Sequence, residues 1–277
     1  MSGASFSSAL KGSVLVVAHP DDEILWFGSV APHVRKIVIC FLHDPVKPEL
    51  SIARSRVLAD HPLADRIECL ELTETNAFGR AMWPSPEPTE FGVKIRGSRD
   101  IARAYKECAE RLRAALMPIL DKADNIFTHN PWGEYGHEEH LMVHRVVTSL
   151  AQRNKTPVWY NNYVSNWSQQ LAHRYVFDPR DASFGVDVDT LFMQDIAELY
   201  RKHDAWTWFD DYQWFANERM LGGAEALPTE PRFGRTLPLN FIRLPERRIK
   251  SVQPGGKVTR KVRRIWGRVT GKAGQNV

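Results

Sequence analysis

The run Ser13-Val14-Leu15-Val16-Val17-Ala18, followed at once by His19-Pro20-Asp21-Asp22-Glu23, decides how this chain is read. The first part is short, almost wholly apolar and rich in β-branched residues, the pattern of a strand buried on both faces. The second part is a polar turn, with a helix expected to begin near Ile24. Further buried strands are expected at Lys36–Leu42, Arg66–Leu72, Asn125–Thr128 and Pro157–Tyr163. Helices are expected between them. The clearest spans Ser98–Lys122, with Ile101, Tyr105, Cys108, Leu112, Ala115 and Ile119 on one stripe and Pro118 expected to bend it. Others are expected over His137–Asn154 and Gln194–Lys202. Strands alternating with helices predict an α/β fold with a mostly parallel sheet, helices on both faces, and ligands outside the carboxyl ends of the strands.

Composition agrees with a folded domain. The 277 residues are 43% apolar and 25% charged, enough to bury a full core. Cys40, Cys69 and Cys108 are an odd number with no CxxC pair, and read as buried thiols in a reducing compartment. The apolar run after Lys11 is too short for a signal peptide, and no stretch approaches the ~20 apolar residues of a membrane span. The expectation is a cytoplasmic protein, with attachment to the inner face of a membrane as its extension.

Charge is unevenly placed. From Phe241 onward there are eleven Lys/Arg against one acid, Glu246, which leaves 26 basic and 32 acidic residues before it. A body over 1–240 and a basic tail over 241–277 are therefore expected. The tail carries Val258, Val262, Ile265, Trp266 and Val269 at amphipathic spacing. It reads as a disordered tail or as a contact with anionic membrane. Nucleic acid is disfavoured by the acidic body and the absence of any nucleic-acid motif. Between Ala77 and Gly97, three prolines and three glycines predict a long surface loop.

An imidazole at position 19 and a carboxylate at 22, on a strand-to-helix turn, can both reach one divalent ion. Asp21 then remains to handle protons. The alternative is that Asp21 or Asp22 caps the following helix. A second cluster weighs on that choice: His137, His140 and His144 share one face of a helix. A metalloprotease HExxH is excluded, because position 141 is Leu141. Two ligands from the first motif and one histidine from the second leave a position open for water, the pattern of a catalytic zinc site.

The two motifs, His19-Pro20-Asp21-Asp22-Glu23 after an apolar strand and Tyr135-Gly136-His137-Glu138-Glu139-His140 near mid-chain, resemble those of the PIG-L/LmbE-like zinc N-deacetylases. The resemblance extends over roughly the first 165 residues through the order of elements. It implies a Rossmann-like three-layer sandwich with the active site at the carboxyl ends of the strands. It also implies His19, Asp22 and His140 as metal ligands, with His129 and His144 as rivals. Asp21 would be the general base. His137 would stabilise the oxyanion or protonate the leaving amine, and Tyr135 would polarise the carbonyl. The metal would be Zn2+, with Fe2+ as the alternative. Two departures stand near these ligands: Asn130 where some members have an acid, and Glu138-Glu139 where others have Pro-Asp. The implied substrate is an N-acetylated amino sugar, lipid- or nucleotide-linked, in glycan or cell-envelope synthesis.

Candidate substrate contacts are Asn76, Arg80, Trp83, Trp132 and Glu134. The dense aromatic set Trp206, Trp208, Phe209, Tyr212, Trp214 and Phe215 has two readings: stacking on sugar rings, or packing a C-terminal helix against the sheet. Rival functions are an amidase on an antibiotic- or peptide-like amide, and a non-catalytic carbohydrate- or membrane-binding protein that keeps the metal site. The intact Asp21 speaks against the last, since binding needs no base.

Overall fold

β1 (Ser13–Val17) is buried along its whole length because it lies in the middle of a seven-stranded sheet. Val14 and Val16 enter one apolar cluster and Leu15 and Val17 the opposite one, as the two-residue period of a strand requires. The computed structural model describes residues 6–175, 182–222 and 239–245.

The expected strands are found with small shifts: β2 (Lys36–His43) and β3 (Ile67–Thr73) precede a small separate hairpin, β4 (Pro88–Thr89) and β5 (Gly92–Val93). There follow β6 (Asn125–Thr128), β7 (Val158–Asn161), β8 (Tyr163–Ser165), β9 (Ala182–Asp187), β10 (Asn217–Gly222) and β11 (Asn240–Ile242). The helices are α1 (Phe6–Leu10), α2 (Asp22–Leu25), α3 (Pro48–Asp60), α4 (Arg99–Leu120), α5 (Glu138–Asn154), α6 (Gln169–Ala172) and α7 (Thr190–Lys202).

The large sheet runs β3-β2-β1-β6-β7-β10-β9. Its first five strands pair in parallel, and β10 pairs antiparallel with both β7 and β9. The order reverses at β1, which sits between β2 and β6. In such sheets the crevice at a reversal point is where ligands bind. Helices α4 and α5 cover one face, burying Tyr105, Cys108, Leu112, Met142, Val146 and Leu150 on it. The other face takes α1, Trp26, Phe27 and Val30, and α3 and α7 pack against Ile24 of α2. The result is the three-layer α/β sandwich.

Several expectations are adjusted. The buried stripe of α4 passes through Leu116 and Leu120 rather than Ala115 and Ile119, because a 3.6-residue period drifts ahead of the alternating four- and three-residue steps of the expected stripe. The fifth expected strand divides at Asn162: β7 stays in the main sheet while β8 pairs with β11. That pairing carries the body past residue 240, and the compact unit runs to Leu244. The basic tail beyond residue 245 lies outside the described residues. Residues 77–97 are not a plain surface loop, since Ala77, Trp83 and Val93 are buried and β4–β5 stands within it. The aromatic set from Trp206 to Phe215 is not helical; it forms the connection between α7 and β10. Cys40 and Cys108 are buried free thiols, whereas Cys69 is half-buried on the edge strand β3. Among the described residues no helix is long and apolar enough to cross a membrane.

Candidate metal centre

Two loops meet beyond the carboxyl ends of the neighbouring strands β1 and β6. In the first, the chain leaves β1 through Ala18 and turns sharply. The His19 amide donates to Asp22 Oδ2 at 2.7 Å, and the Trp26 indole donates to Asp22 Oδ1 at 2.8 Å. Asp21 stands at the N-cap of α2 with φ 99° and makes no side-chain capping bond. A left-handed conformation at a residue with a Cβ costs about 1–3 kcal/mol and is kept only where surroundings impose it. The capping alternative therefore fails for Asp21: its carboxylate instead accepts from Thr207 Oγ1 at 2.7 Å.

The second loop is built around Asn130. Its Oδ1 accepts from the amides of Trp132 and Glu134, and its Nδ2 donates to Asn161 Oδ1 and the Tyr163 carbonyl. Gly133 is required at φ 69°, where an added Cβ would stand 2.8 Å from the His137 carbonyl oxygen. The turn drives Glu134 inward. Its Oε2 pairs with His140 Nδ1 at 2.7 Å and His129 Nδ1 at 3.1 Å, while Oε1 accepts from the Asn130 amide and Asn161 Nδ2.

These hydrogen bonds set which histidine nitrogens offer a lone pair. Carboxylates only accept and backbone amides only donate. His140 therefore carries its proton on Nδ1, and its buried Nε2 has no hydrogen-bond partner and lies 3.3 Å from Asp22 Oδ1. His19 donates from Nε2 to Glu139 Oε2 at 3.0 Å, leaving Nδ1 3.3 Å from Asp22 Oδ2. His137 accepts the Glu139 amide on Nδ1 at 3.2 Å, so its proton sits on Nε2. His129 accepts the Ala18 amide on Nε2 at 2.8 Å. His144 meets the His129 carbonyl through Nδ1 at 2.7 Å, with Nε2 facing Thr148. Two histidines thus present lone pairs toward Asp22, and they are His19 and His140.

Ligand-type atoms within 4.8 Å of one another form three groups among the described residues: His19–His137–His140, Asp22–His129–His140 and His19–Glu74–Glu139. The expected set of His19, Asp22 and His140 is divided between the first two, joined by His140. The nitrogen and carboxylate donors, with one buried orphan nitrogen among them, fit a divalent cation.

Burial pushes Asp21 up to about 8, with the adjacent Asp22 adding to the rise. Burial works against Asp22 too, but His140 and His129 hold its carboxyl well below the usual range. For His19 burial is outweighed by Glu74, Asp22 and Glu139, which lift the ring to about 10. His137 is held well below its ordinary value, by burial first and then by His140 and His19. Burial lowers His129 and the carboxylates of Glu134 and Asp22 raise it, yet the donating Ala18 amide requires Nε2 to stay unprotonated. Asp21, Asp22, Glu134, Glu138 and Glu139 are all buried. Such a concentration of carboxylates favours a positive ion.

Residues not singled out in the sequence complete the centre. Glu139 orients His19 and is itself held at Oε1 by the amide and hydroxyl of Thr75. Glu138 ties down the 77–97 segment through the Gly79 and Ala81 amides and the Trp83 indole. Phe78, 41% exposed, stacks on His137 at 4.8 Å. Tyr135 lies between Trp26 at 5.5 Å and Trp208 at 4.8 Å, and burial keeps its phenol protonated.

The expected substrate contacts divide. Trp83 packs against Gly136, and Trp132 is fully buried with its indole donating to the Tyr163 carbonyl, so neither reaches a cleft. Glu134 is turned toward the histidines rather than outward. These three are corrected to internal supports, because aromatic bulk and a carboxylate in so tight a turn are satisfied by the protein itself. Asn76 is exposed with φ 56°, and Arg80 is half-buried with its guanidinium near Gly97.

No family model matches the chain. A 1D-myo-inositol 2-acetamido-2-deoxy-alpha-D-glucopyranoside deacetylase of Actinosynnema mirum is 26% identical over 154 residues, 50% of this chain and 54% of that protein. The protein of the same name from Mycobacterium sp. (strain KMS) is 25% identical over 207 residues, 68% of this chain and 64% of that one. The chain therefore spans between half and two-thirds of the length of these curated relatives. Among solved structures, a teicoplanin-pathway deacetylase in complex with teicoplanin superposes with a TM-score of 0.46 at 11% identity, over 76% of this chain and 97% of that one. That superposition is too loose to carry an argument. The two motifs meet at the reversal point of the sheet, and over 50% to 68% of its length the chain is similar to deacetylases of that name.

Proposed function

We propose that this chain is a zinc-dependent N-deacetylase that releases acetate from an N-acetylated amino sugar. The observation that carries the reading is His140 Nε2: buried, without a hydrogen-bond partner, 3.3 Å from Asp22, on a ring pinned by Glu134. His19 Nδ1, an Asp22 oxygen and His140 Nε2 would hold the ion. Two imidazoles and a carboxylate suit zinc, with ferrous iron the alternative. A divalent ion bound there supplies Lewis acidity, polarising an amide carbonyl and acidifying water.

The remaining roles fall to the chain's own side chains. Asp21 takes a proton from the attacking water, with one oxygen engaged by Thr207. His137, neutral with its proton on Nε2, donates to the amide oxygen or to the departing nitrogen. The half-buried Tyr135 offers a phenolic donor against the His140 ring, 5.3 Å away. Water is consumed and the products are acetate and the free amine. The amino-sugar substrate is supported by the names of the relatives. The half-exposed rim at Phe78 and Trp208 supplies aromatic faces for a ring.

Metal analysis of the purified protein, then acetate release from free, nucleotide-linked and lipid-linked N-acetyl sugars, tests the reading. One bound zinc, acetate release, and its loss in Asp21→Asn with metal retained are expected. No acetate from any substrate, with Asp21→Asn making no difference, would sink it. The basic tail supports a further reading, attachment to anionic membrane. A chain ending at Leu244 that binds anionic vesicles as well as the full chain would refute that.

A further inference from the structure

The Asp21 carboxylate is held by residues far along the chain. Its backbone is left-handed and its side chain does not cap α2, so nothing local sets its direction. Its amide is fastened to Glu23 Oε2 at 3.0 Å. Glu23 is fully buried, and its other oxygen accepts from the Tyr200 hydroxyl at 2.7 Å. His61 Nε2 is 3.5 Å from the same oxygen, beyond a good hydrogen bond. Tyr200, on α7, is therefore the firm anchor. At the other end of the residue, Thr207 Oγ1 donates to Asp21 Oδ2 at 2.7 Å.

Thr207 reaches that position because of the tryptophans on either side of it. Trp206 lies under the Arg201 guanidinium at 4.9 Å and near Tyr200 at 6.3 Å. Trp208 packs edge-on against Trp26 at 5.2 Å. Trp214 fixes the same connection to α2 through its indole, which donates to the Ile24 carbonyl at 2.6 Å. The aromatic density after α7 thus clamps one hydroxyl against one carboxylate.

We propose that Thr207 and Tyr200 are positioning residues for the Asp21 base, Thr207 through the carboxylate directly and Tyr200 through Glu23 and the Asp21 amide. The inference rests on the deacetylase reading for Asp21's role. A carboxylate can rotate about its last bond. A donor fixed on Oδ2 sets its plane and leaves Oδ1 to accept the proton of the attacking water. Holding a reacting group within a fraction of an ångström needs such supporting bonds.

Thr207→Val keeps the shape and removes the hydroxyl; Thr207→Ser restores it; Tyr200→Phe removes the other anchor. With the zinc-loaded full chain, kcat should fall about 10–100-fold in Thr207→Val and in Tyr200→Phe, with KM and bound metal within twofold. Thr207→Ser should recover most of the loss. Crystal structures of the loaded parent and Thr207→Val should show the Asp21 carboxylate turned in the variant. An unturned carboxylate, or kcat within twofold of the parent, overturns the proposal. If the parent releases no acetate from any substrate, the deacetylase reading fails separately, and the orientation of Asp21 in the two crystal structures still decides the positioning role. The Thr207 side chain is itself exposed, so its substitution leaves no cavity in the core.

Discussion

The turn after β1 and the loop after β6 hold their candidate ligands by different means. The loop after β6 is closed by its own groups and braced by the adjoining strand end: Asn130, Gly133 and Glu134 hold one another, Asn161 and Tyr163 support them, and Glu134 aims His140 six residues ahead. The turn after β1 is held from outside. Asp21 is bonded by Thr207, 186 residues on, Glu23 by Tyr200, 177 residues on, and Ile24 by Trp214, 190 residues on. A short sequence can place a ligand when its own polar groups close the turn. A base in a costly conformation needs the rest of the fold to keep it there.

The largest expected effect breaks the loop after β6. Glu134→Ala leaves His140, His129 and two amide donors without their shared carboxylate, so affinity for a divalent metal should drop by on the order of 10–100-fold. Stability should fall by about 3–5 kcal/mol, as when one partner of a buried pair is removed. Competitive metal titration and denaturant unfolding measure the two. Unchanged affinity would mean that the loop does not depend on Glu134. Glu138→Gln should act less: the 77–97 segment loosens where it meets Gly79 and Ala81, visible as faster proteolysis within it and a raised KM with little change in kcat. Equal effects on both constants would place Glu138 in the chemistry rather than in the wall. The smallest effect belongs to the externally held turn. Trp214→Phe removes one hydrogen bond to Ile24 and should cost about 1 kcal/mol of stability, measured by the same unfolding curves. A cost near that of Glu134→Ala would reverse the comparison.

Much of the architecture was legible. The apolar run of β1 needs no partner to be read as buried on both faces, and Asn125–Thr128 is found where its composition placed it. The residue types of the centre were legible as well, because the histidine and carboxylates after one strand were matched by a second histidine cluster after another. The supports were not. Glu134 and Trp132 read as candidate sugar contacts because polar and aromatic residues before a motif look exposed, and only the closed turn at Asn130 shows them buried. Thr207 carried no signal of its own. The aromatic residues around it looked like a stacking surface or a helix face, and neither reading anticipates a clamp.

The sequence by itself determined that β1 lies inside a mostly parallel sheet and that His19, Asp21, Asp22, His137 and His140 gather at its end. Strand burial follows from local composition, and ligand type from side-chain chemistry. Tertiary structure alone decided the protonation of each ring. His137 and His129 each spend a nitrogen on a backbone amide, while His19 and His140 spend one on a carboxylate and keep the other for Asp22. A tautomer is set by whichever donor or acceptor stands about 3 Å away, and for His129 and His19 that partner is more than 100 residues distant in the chain.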